Sequence, residues 1–294
     1  MDLVLLTFFN QTVAHPILDG LMITLTTAGF AVLPVLGLVF LFPRQQRRVG
    51  LAILAALIVS LGLTLVFQHL ALRPRPQAVR LVLTQPNFPS FPSGHAAGAF
   101  GVALVLMLAY HHARWGLVAL VGASLIAFSR VYLGQHYPSD ILGGTVLGAA
   151  TGAACYGVIV ARRPGQLAWQ WLVWLQIAVA LVVTQMAYLD VLPGHLLRWP
   201  FADKVFHFLL IGSIAFWLNL WLNGRRMPLG SWSVPLALLI PFGIALLEEG
   251  IQYFSPVRSA SFSDLISDLA GLVFFWWLSQ IVINKRVTVE DSPS

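Results

Sequence analysis

Apolar stretches of about twenty residues recur from Ile17 to Asn284, and no other feature limits the possible folds of this chain so strongly. A helix needs roughly 20 apolar residues to cross the hydrocarbon core of a bilayer. A helix also satisfies its backbone N–H and C=O groups within one segment, as lipid surroundings require. The chain is 58% hydrophobic and only 10% charged, a balance that does not suit a water-soluble domain of 294 residues. The sequence therefore predicts an all-α, polytopic transmembrane helical bundle.

About nine spans are predicted, over residues 18–42, 49–71, 94–111, 115–133, 139–161, 168–188, 204–222, 233–250 and 264–283. Residues 1–14 are too short to span, and their paired Phe and polar residues are typical of an interfacial segment. The loop ARRPGQ at residues 161–166 combines charge, Pro and Gly, as domain linkers do. We therefore predict a five-span domain over residues 1–162 and a four-helix module over residues 163–294, which ends in a short tail.

Basic residues in alternate loops predict the orientation in the membrane. By the positive-inside rule, these loops and the C-terminus face the cytoplasm. The opposite loops and span ends hold most of the acidic residues, and ionisable groups at membrane depth mark functional sites. We therefore expect a protein of the inner or plasma membrane with an extracytoplasmic site. The inner-loop residues are Arg44, Arg47, Arg48, Arg114, Arg162, Arg163, Arg225, Arg226, Lys285 and Arg286.

Charge and cysteine content exclude two other classes of protein. The net charge of +6 and the pI near 10 would suit nucleic-acid binding, but the basic residues form short loop clusters rather than one face. No nucleic-acid partner is therefore predicted. The single Cys155 lies in an apolar stretch, so the chain has no disulfide framework.

Three short segments at predicted helix ends carry groups suited to phosphate chemistry: RPRP at 73–76, PSGH at 92–95 and SRVYLGQHYPSD at 129–140. Ser93 is a typical N-cap, and the free N–H groups of the helix start after it form an anion site, which Gly94 leaves open to a phosphate. The guanidinium groups of Arg75 and Arg130 match phosphate oxygens bidentately.

Two histidines supply the remaining groups that phosphoryl transfer requires. His136 and His95 can act as nucleophile and as acid for the leaving oxygen, and Asp140 lies one helical turn after His136. A lone His or Arg in such a loop is more often solvated or an interface anchor. Their combination on one predicted face indicates a phosphate site that needs no metal and no cofactor.

These motifs resemble the tripartite signature of the type 2 phosphatidic acid phosphatase family, and the resemblance covers about residues 5–162. The signature is Lys, six residues, Arg-Pro; then Pro-Ser-Gly-His; then Ser-Arg, five residues, His, three residues, Asp. The second block is complete at residues 92–95. The third block is complete at Ser129, Arg130, His136 and Asp140.

The first block departs from the pattern, because Gln68 stands where the family has Lys, counting back from Arg75 and Pro76. Arg73 and Arg80 are candidates to replace the missing charge, and Gln68 itself is a further candidate for phosphate binding. The resemblance implies a metal-independent phosphatase in which His136 forms a phosphohistidine, Asp140 orients it, and His95 serves as acid and later as base. It also implies phosphate binding by Arg75, Ser93, Gly94 and Arg130.

A second polar cluster lies at predicted span ends of the C-terminal half. Three interpretations stay open: an internal salt-bridged plug, a divalent cation site, or a site for a lipid headgroup. These residues resemble the VanZ-like family over about residues 168–284, which implies association with the cell envelope and no particular reaction. The cluster comprises Asp203, Lys204, His207, Glu249, Gln252, Arg258, Asp264 and Asp268.

The sequence thus predicts an integral membrane lipid phosphatase whose partners are the bilayer and a lipid phosphate, with no prediction of oligomeric state. Candidate substrates are undecaprenyl diphosphate, phosphatidate and phosphatidylglycerophosphate. One alternative is a phosphotransferase, in which an acceptor lipid attacks the phosphohistidine at His136. The other is a non-catalytic headgroup binder or transporter, which the presence of Gln68 in place of Lys suggests.

Overall fold

The computed structural model describes residues 2–110, 113–161, 169–192, 199, 201–253 and 261–290. Contacts divide the chain into two compact units, Met1–Leu167 and Ala168–Ser294. Most of the predicted linker at residues 161–166 lies outside the described residues. The helical fold class is confirmed in both units.

In its described residues, the first unit contains seven α-helices, two of which continue into π-helical turns. These turns are Phe8–Thr12, directly after α1, and Leu25–Gly29, which joins α2 and α3 into one continuous helical segment. The helices are α1 (Asp2–Thr7), α2 (Pro16–Thr24), α3 (Phe30–Val39), α4 (Arg47–Ala71), α5 (Gly94–Ala109), α6 (Ala113–Tyr132) and α7 (Pro138–Ile159).

Glycines on α7 bring this helix into backbone contact with α5. A Cβ atom at Gly148 would lie 2.1 Å from the carbonyl oxygen of Ala97, and one at Gly152 would lie 2.2 Å from that of Gly101. Such spacing of small residues allows close helix packing in membranes. The start of α7 is thereby held against the start of α5, where the backbone N–H of Ser93 donates to the carbonyl of Asp140 at 3.0 Å.

The N-terminal segment, which the sequence predicts to be interfacial, packs one polar residue into the protein. Asn10 is fully buried, and its amide nitrogen donates at 2.8 Å to the backbone carbonyls of both Arg80 and Tyr132. Asn10 also accepts a hydrogen bond from the backbone N–H of Arg80 at 2.8 Å. The segment therefore anchors the loop between α4 and α5, which crosses the end of the bundle.

The second unit contains α8 (Trp169–Tyr188), α9 (Ala202–Leu210), α10 (Gly212–Leu222), β1 (Arg226–Leu229), β2 (Trp232–Pro235), α11 (Leu236–Gln252) and α12 (Phe262–Glu290). The two strands form an antiparallel hairpin. The helix predicted from about residue 233 begins at Leu236, after Pro235 in an extended conformation. A proline there has no N–H to lose from the helix and favours a helix start.

Within the described residues, seven helical segments are long and apolar enough to cross a membrane. They coincide with seven of the nine predicted spans. The other two predicted spans coincide with α5, of 16 residues, and α11, of 17 residues. The chain is therefore a multi-pass membrane protein. The seven segments are Pro16–Val39, Arg47–Ala71, Arg114–Tyr132, Pro138–Ile159, Trp169–Tyr188, Ala202–Leu222 and Phe262–Asn284.

Candidate active site

A cavity of about 300 Å³ lies in the first unit, bounded by α4, the loop between α4 and α5, and the adjoining ends of α5 and α6. Leu61, Leu65 and Phe88 form an apolar part of its wall. The cavity also brings together six residues that the motifs singled out from three separate stretches of sequence. These are Gln68, Arg75, Gly94, His95, Arg130 and His136.

The His136 side chain is 2% exposed and has a defined orientation. Its Nδ1 lies 2.8 Å from the backbone carbonyl oxygen of Ser90. A carbonyl oxygen can only accept, so Nδ1 carries the hydrogen and Nε2 keeps the lone pair. Nε2 lies 3.4 Å from Nη1 of Arg75, a group that also lines the cavity. The lone pair of Nε2 thus accepts a long hydrogen bond from Arg75, a cation that is suited to a phosphate oxygen.

Asp140 supports this histidine less directly than the one-turn spacing predicts. Its Oδ2 is 3.6 Å from Nδ1 of His136, which is too long for a hydrogen bond. Oδ2 instead accepts from the backbone N–H of Tyr137 at 2.9 Å, and Oδ1 accepts from Arg73 at 2.5 Å. Asp140 therefore fixes the start of α7 and supplies negative charge, while the Ser90 carbonyl holds the ring.

Arg73 does not take the place of the missing lysine, contrary to the sequence-based suggestion. Its guanidinium donates to Asp140 and to Oδ2 of Asp2 at 2.9 Å, and it lies 4.2 Å from the ring centre of Tyr137. It also donates to the hydroxyl of Ser139 at 2.8 Å. These contacts neutralise Arg73 outside the cavity and make it a structural support of Asp140.

Arg130 is only 7% exposed and retains an unused donor. Its Nη1 donates to the hydroxyl of Thr26 at 2.7 Å, and Nη2 lies 3.4 Å from the side-chain oxygen of Gln135. Its Nε has no partner among the described residues. A buried donor without an acceptor is unfavourable unless a ligand completes it, and a phosphate oxygen is the acceptor expected here.

Arg75 is held by two backbone carbonyls. Its Nε donates to Phe88 and its Nη1 donates to Gln135, both at 2.8 Å. These bonds fix the guanidinium beside Nε2 of His136. Its fixed position beside Nε2 of His136 suits stabilisation of negative charge in the cavity.

The PSGH segment forms the start of α5 as predicted from its sequence. Ser93 has an extended backbone and its hydroxyl accepts from the N–H of Ala96 at 3.5 Å, which identifies it as the N-cap. A Cβ at Gly94 would make only ordinary contacts at 3.5 Å, so packing alone does not require glycine there. His95 packs on the ring of Phe30, with 4.3 Å between ring centres.

Gln68 is buried and binds the protein rather than standing free. Its Nε2 donates to the carbonyl oxygen of Pro92 at 3.1 Å, directly before the N-cap of α5. Thr64, one turn earlier on α4, also lines the cavity, and its hydroxyl has no partner among the described residues. This side of the cavity is therefore polar but uncharged.

The second polar cluster joins α9, α11 and α12. Gly271 on α12 allows close backbone approach to α9, since a Cβ atom there would clash with the carbonyl oxygen of Phe208. His207 then faces two acids, with Nδ1 at 3.0 Å from Asp268 and Nε2 at 3.8 Å from Asp264.

Lys204 bridges Asp203, at 2.8 Å, and Asp264. On α11, Glu249 accepts from the backbone N–H of Ser261 at 2.9 Å, and Gln252 donates to Glu248 at 2.5 Å. The ion pairs agree with part of the salt-bridged plug that the sequence suggested, whereas Arg258 lies outside the described residues. No group of three or more potential metal ligands was found within the described parts of the chain.

Comparisons with known proteins match both units. The PAP2 superfamily matches residues 49–164 and the VanZ/LLP1 family matches residues 162–283. The chain is 30% identical over 138 residues to an undecaprenyl-diphosphatase of Sulfolobus acidocaldarius, covering 45% of this chain and 66% of that protein. It is 30% identical over 147 residues to undecaprenyl-diphosphatase BcrC of Bacillus subtilis, covering 47% and 73%. It is 36% identical over 128 residues to a decaprenylphosphoryl-5-phosphoribose phosphatase of Mycobacterium tuberculosis, covering 42% and 68%.

The helical bundle, the motif residues around the cavity and these relatives define the class as membrane lipid phosphatases. The chain belongs to the PAP2 superfamily and carries a VanZ-like domain in its second unit, which confirms both resemblances. Each of the three alignments covers less than half of this chain.

Proposed function

We propose that the first unit hydrolyses a polyprenyl diphosphate, such as undecaprenyl diphosphate, through a phosphohistidine on His136 at the extracytoplasmic face. The observation that carries this proposal is the orientation of His136. The Ser90 carbonyl accepts from Nδ1, and Nε2 is left basic at the cavity beside Arg75.

The reaction proceeds in two displacements at the terminal phosphorus. In the first, Nε2 of His136 attacks phosphorus, the bond to the leaving oxygen breaks, and His95 donates a proton to that oxygen. In the second, His95 takes a proton from water, the water oxygen attacks phosphorus, and the P–N bond breaks. Inorganic phosphate leaves and both histidines return to their starting states.

Arg75 and Arg130 stabilise the charge that develops on the equatorial oxygens. Fixed donors aimed at such charge usually supply the largest part of catalysis. The unpartnered Nε of Arg130 and the N–H groups at the start of α5 are suited to this role.

The preference for a polyprenyl diphosphate rests on the cavity wall and on the relatives. Leu61, Leu65 and Phe88 offer an apolar surface next to the phosphate site, as a lipid substrate requires. Two of the relatives above are undecaprenyl-diphosphatases.

A substrate panel tests this proposal on purified full-length protein. Undecaprenyl diphosphate, phosphatidate and phosphatidylglycerophosphate are offered with and without a chelator, and released phosphate and phosphorylated acceptors are both measured. We expect the highest kcat/KM for undecaprenyl diphosphate, free phosphate as product, and no effect of chelation. Transfer to an acceptor lipid instead of water would establish the phosphotransferase, and turnover of glycerolipids alone would contradict the proposed substrate.

The orientation in the membrane can be tested by cysteine labelling. Cys155 is replaced first, and single cysteines are then placed at Phe88 beside the cavity or at Arg225 in a basic loop. Following the positive-inside rule, we expect the Phe88 position to react with an impermeant thiol reagent in intact cells and Arg225 only after permeabilisation. The reverse pattern would place the site on the cytoplasmic side.

The acidic limb of the pH–rate profile is expected to lie below the ordinary titration range of histidine. Burial lowers the pKa of His136, and this effect outweighs the raising effect of Asp140. A lowered pKa keeps Nε2 unprotonated at neutral pH, so kcat/KM should fall only as the pH drops through that lowered value.

Replacement of Asp140 tests the direction of this effect. Asp140→Asn removes the charge that raises the pKa of His136, so the acidic limb should move to still lower pH while kcat falls. Asp19→Asn serves as the control, because Asp19 pairs with Arg80 outside the cavity and should leave the limb unchanged. A shift of the limb to higher pH in Asp140→Asn would contradict the assignment of the limb to His136.

The second unit is expected to be dispensable for the chemical step. Asp203→Asn breaks an ion pair with Lys204 that contributes no residue to the phosphate cavity. We therefore expect kcat for the lipid phosphate to stay within about twofold of the original protein, since exposed ion pairs contribute little. A loss comparable to that of His95→Ala would mean that both polar clusters serve one reaction.

A further inference from the structure

The polar cluster of the second unit has more acidic than basic side chains. In the described part of the chain, its basic side chains are Lys204 and His207. Its acidic side chains there are Asp203, Glu248, Glu249, Asp264 and Asp268. Lys204 is already bound to two carboxylates, and His207 lies between two. Neither of these basic groups donates to Glu249 in the contacts that the structure describes. Among these described residues, therefore, no basic side chain donates a hydrogen bond to Glu249, and Arg258 lies outside them.

Two buried acceptors at this end of α11 have no donor. Glu249 is 6% exposed, and while its Oε2 accepts from Ser261, its Oε1 has no partner among the described residues. Gln252 is 2% exposed, and while its Nε2 donates to Glu248, its Oε1 is likewise unpartnered. The two residues lie three apart and therefore share a helix face. Buried acceptors of this kind are unfavourable unless a ligand donates to them.

The chemistry of the missing ligand follows from these atoms. Both unpartnered atoms are acceptors, and the C-terminal end of a helix carries partial negative charge that favours a cation. A primary ammonium group has a positive charge, several N–H donors and no acceptor. It therefore matches the site better than an anion or a hydroxyl group does.

The surface around this end of α11 shows where such a ligand would come from. Leu247 and Ile251 on α11 are 70% and 62% exposed, and Phe262 and Ile266 on α12 are 79% and 55% exposed. In a membrane protein, exposed apolar side chains of this kind face acyl chains. Because the site lies beside this apolar surface, we infer that the ammonium group belongs to the headgroup of a lipid.

We propose that the VanZ-like unit binds a lipid with a primary ammonium headgroup, such as an ethanolamine phospholipid. Glu249 and Gln252 accept hydrogen bonds from the ammonium group, and the apolar surface beside α11 and α12 contacts its acyl chains. This site lies in the second unit and goes beyond the phosphatase activity proposed for the first.

Lipid retention by the full-length protein tests the proposal. The protein is titrated in detergent with phosphatidylethanolamine, phosphatidylcholine or phosphatidylglycerol of the same acyl chains, and bound lipid is counted by native mass spectrometry. We expect one phosphatidylethanolamine to bind at least about tenfold more tightly than the other two lipids, which lack a primary ammonium group. Free ethanolamine at the same concentration should not compete, since it lacks the acyl chains.

Three variants identify the site. Glu249→Gln should reduce this preference about tenfold or more, because it removes the charge that pairs with the ammonium group. Gln252→Met, which keeps volume and removes only the amide, should weaken binding by a smaller factor. Asp203→Asn is the matched control, because it removes one negative charge from the exposed edge of the same cluster and should leave binding unchanged.

Several results would overturn the proposal. They are equal retention of all three lipids, an unchanged preference in both Glu249→Gln and Gln252→Met, or an equal loss in Asp203→Asn. Competition by free ethanolamine at equal concentration would overturn the lipid as the source. Far-UV circular dichroism and gel filtration show whether each variant is folded, and Gln252→Met tests the site independently if Glu249→Gln fails to fold.

Discussion

His136→Ala is expected to abolish turnover together with any covalent phosphoenzyme, whereas His95→Ala should keep phosphate binding and lose rate by about 10² to 10⁴. The difference arises because His136 would supply the atom that bonds to phosphorus, while His95 moves only a proton. Both side chains line the same cavity. Initial rates with undecaprenyl diphosphate and the binding of vanadate, which adopts a five-coordinate geometry, measure the two effects.

The nature of the leaving group separates the two roles. With p-nitrophenyl phosphate, whose leaving group needs little protonation, His95→Ala should form the phosphoenzyme at near the original rate and then hydrolyse it slowly. A burst of about one nitrophenolate per active site would be seen, as expected when a covalent intermediate accumulates. His136→Ala should give no burst. Full activity in His136→Ala, or a burst that survives in it, would refute the assignment of the nucleophile.

Arg130→Lys is expected to lower kcat by about 10² to 10³, the loss found when one fixed donor to a developing negative charge is removed. Lysine keeps the positive charge but cannot reproduce the planar fork that bonds Thr26 and leaves Nε for the phosphate. Inhibition by inorganic phosphate should weaken in parallel.

Arg80→Lys is the matched control for this substitution. Arg80 pairs with Asp19 at 2.8 Å and does not line the cavity, and its side chain is 32% exposed. Its replacement should change kcat by less than about threefold, as expected for a partly exposed ion pair. Equal losses in Arg80→Lys and Arg130→Lys would point to general loss of stability rather than lost phosphate binding.

Hydropathy predicted the helical architecture because nearly every span must bury apolar residues in lipid. It could not predict the β-hairpin, since the WSVP stretch of β2 contains Trp and Val and runs directly into the apolar helix α11. The burial of Asn10 was also missed. A polar side chain in a short apolar segment is typical of a membrane interface. The groups that bind Asn10 are the backbone carbonyls of Arg80 and Tyr132, which are distant in sequence.

The sequence predicted those parts of the site that consist of side chains in a recognisable spacing. His95, His136, Arg75 and Arg130 meet in one cavity as the motifs indicated. The Ser90 carbonyl, which orients His136, was missed because a backbone oxygen has no signature in the sequence.

The support of Asp140 was missed for a related reason. Asp2 reaches Arg73 across 71 positions, and an acidic residue at the start of an apolar helix does not identify its partner. The hydrogen bond from Gln68 to the carbonyl of Pro92 was likewise missed, because it depends on the fold of the loop that follows α4.

Direct identification of the phosphorylated atom tests the central claim of the mechanism. The full-length protein is mixed with undecaprenyl diphosphate labelled at the terminal phosphate, quenched with base, digested and mapped by mass spectrometry, with standards for the two phosphohistidine isomers. The proposed mechanism predicts an acid-labile phosphate on Nε2 of His136, which appears and disappears at rates compatible with turnover. Phosphate on His95, on Ser93 or on Nδ1 of His136, or rapid turnover with no phosphohistidine at any time, would contradict it.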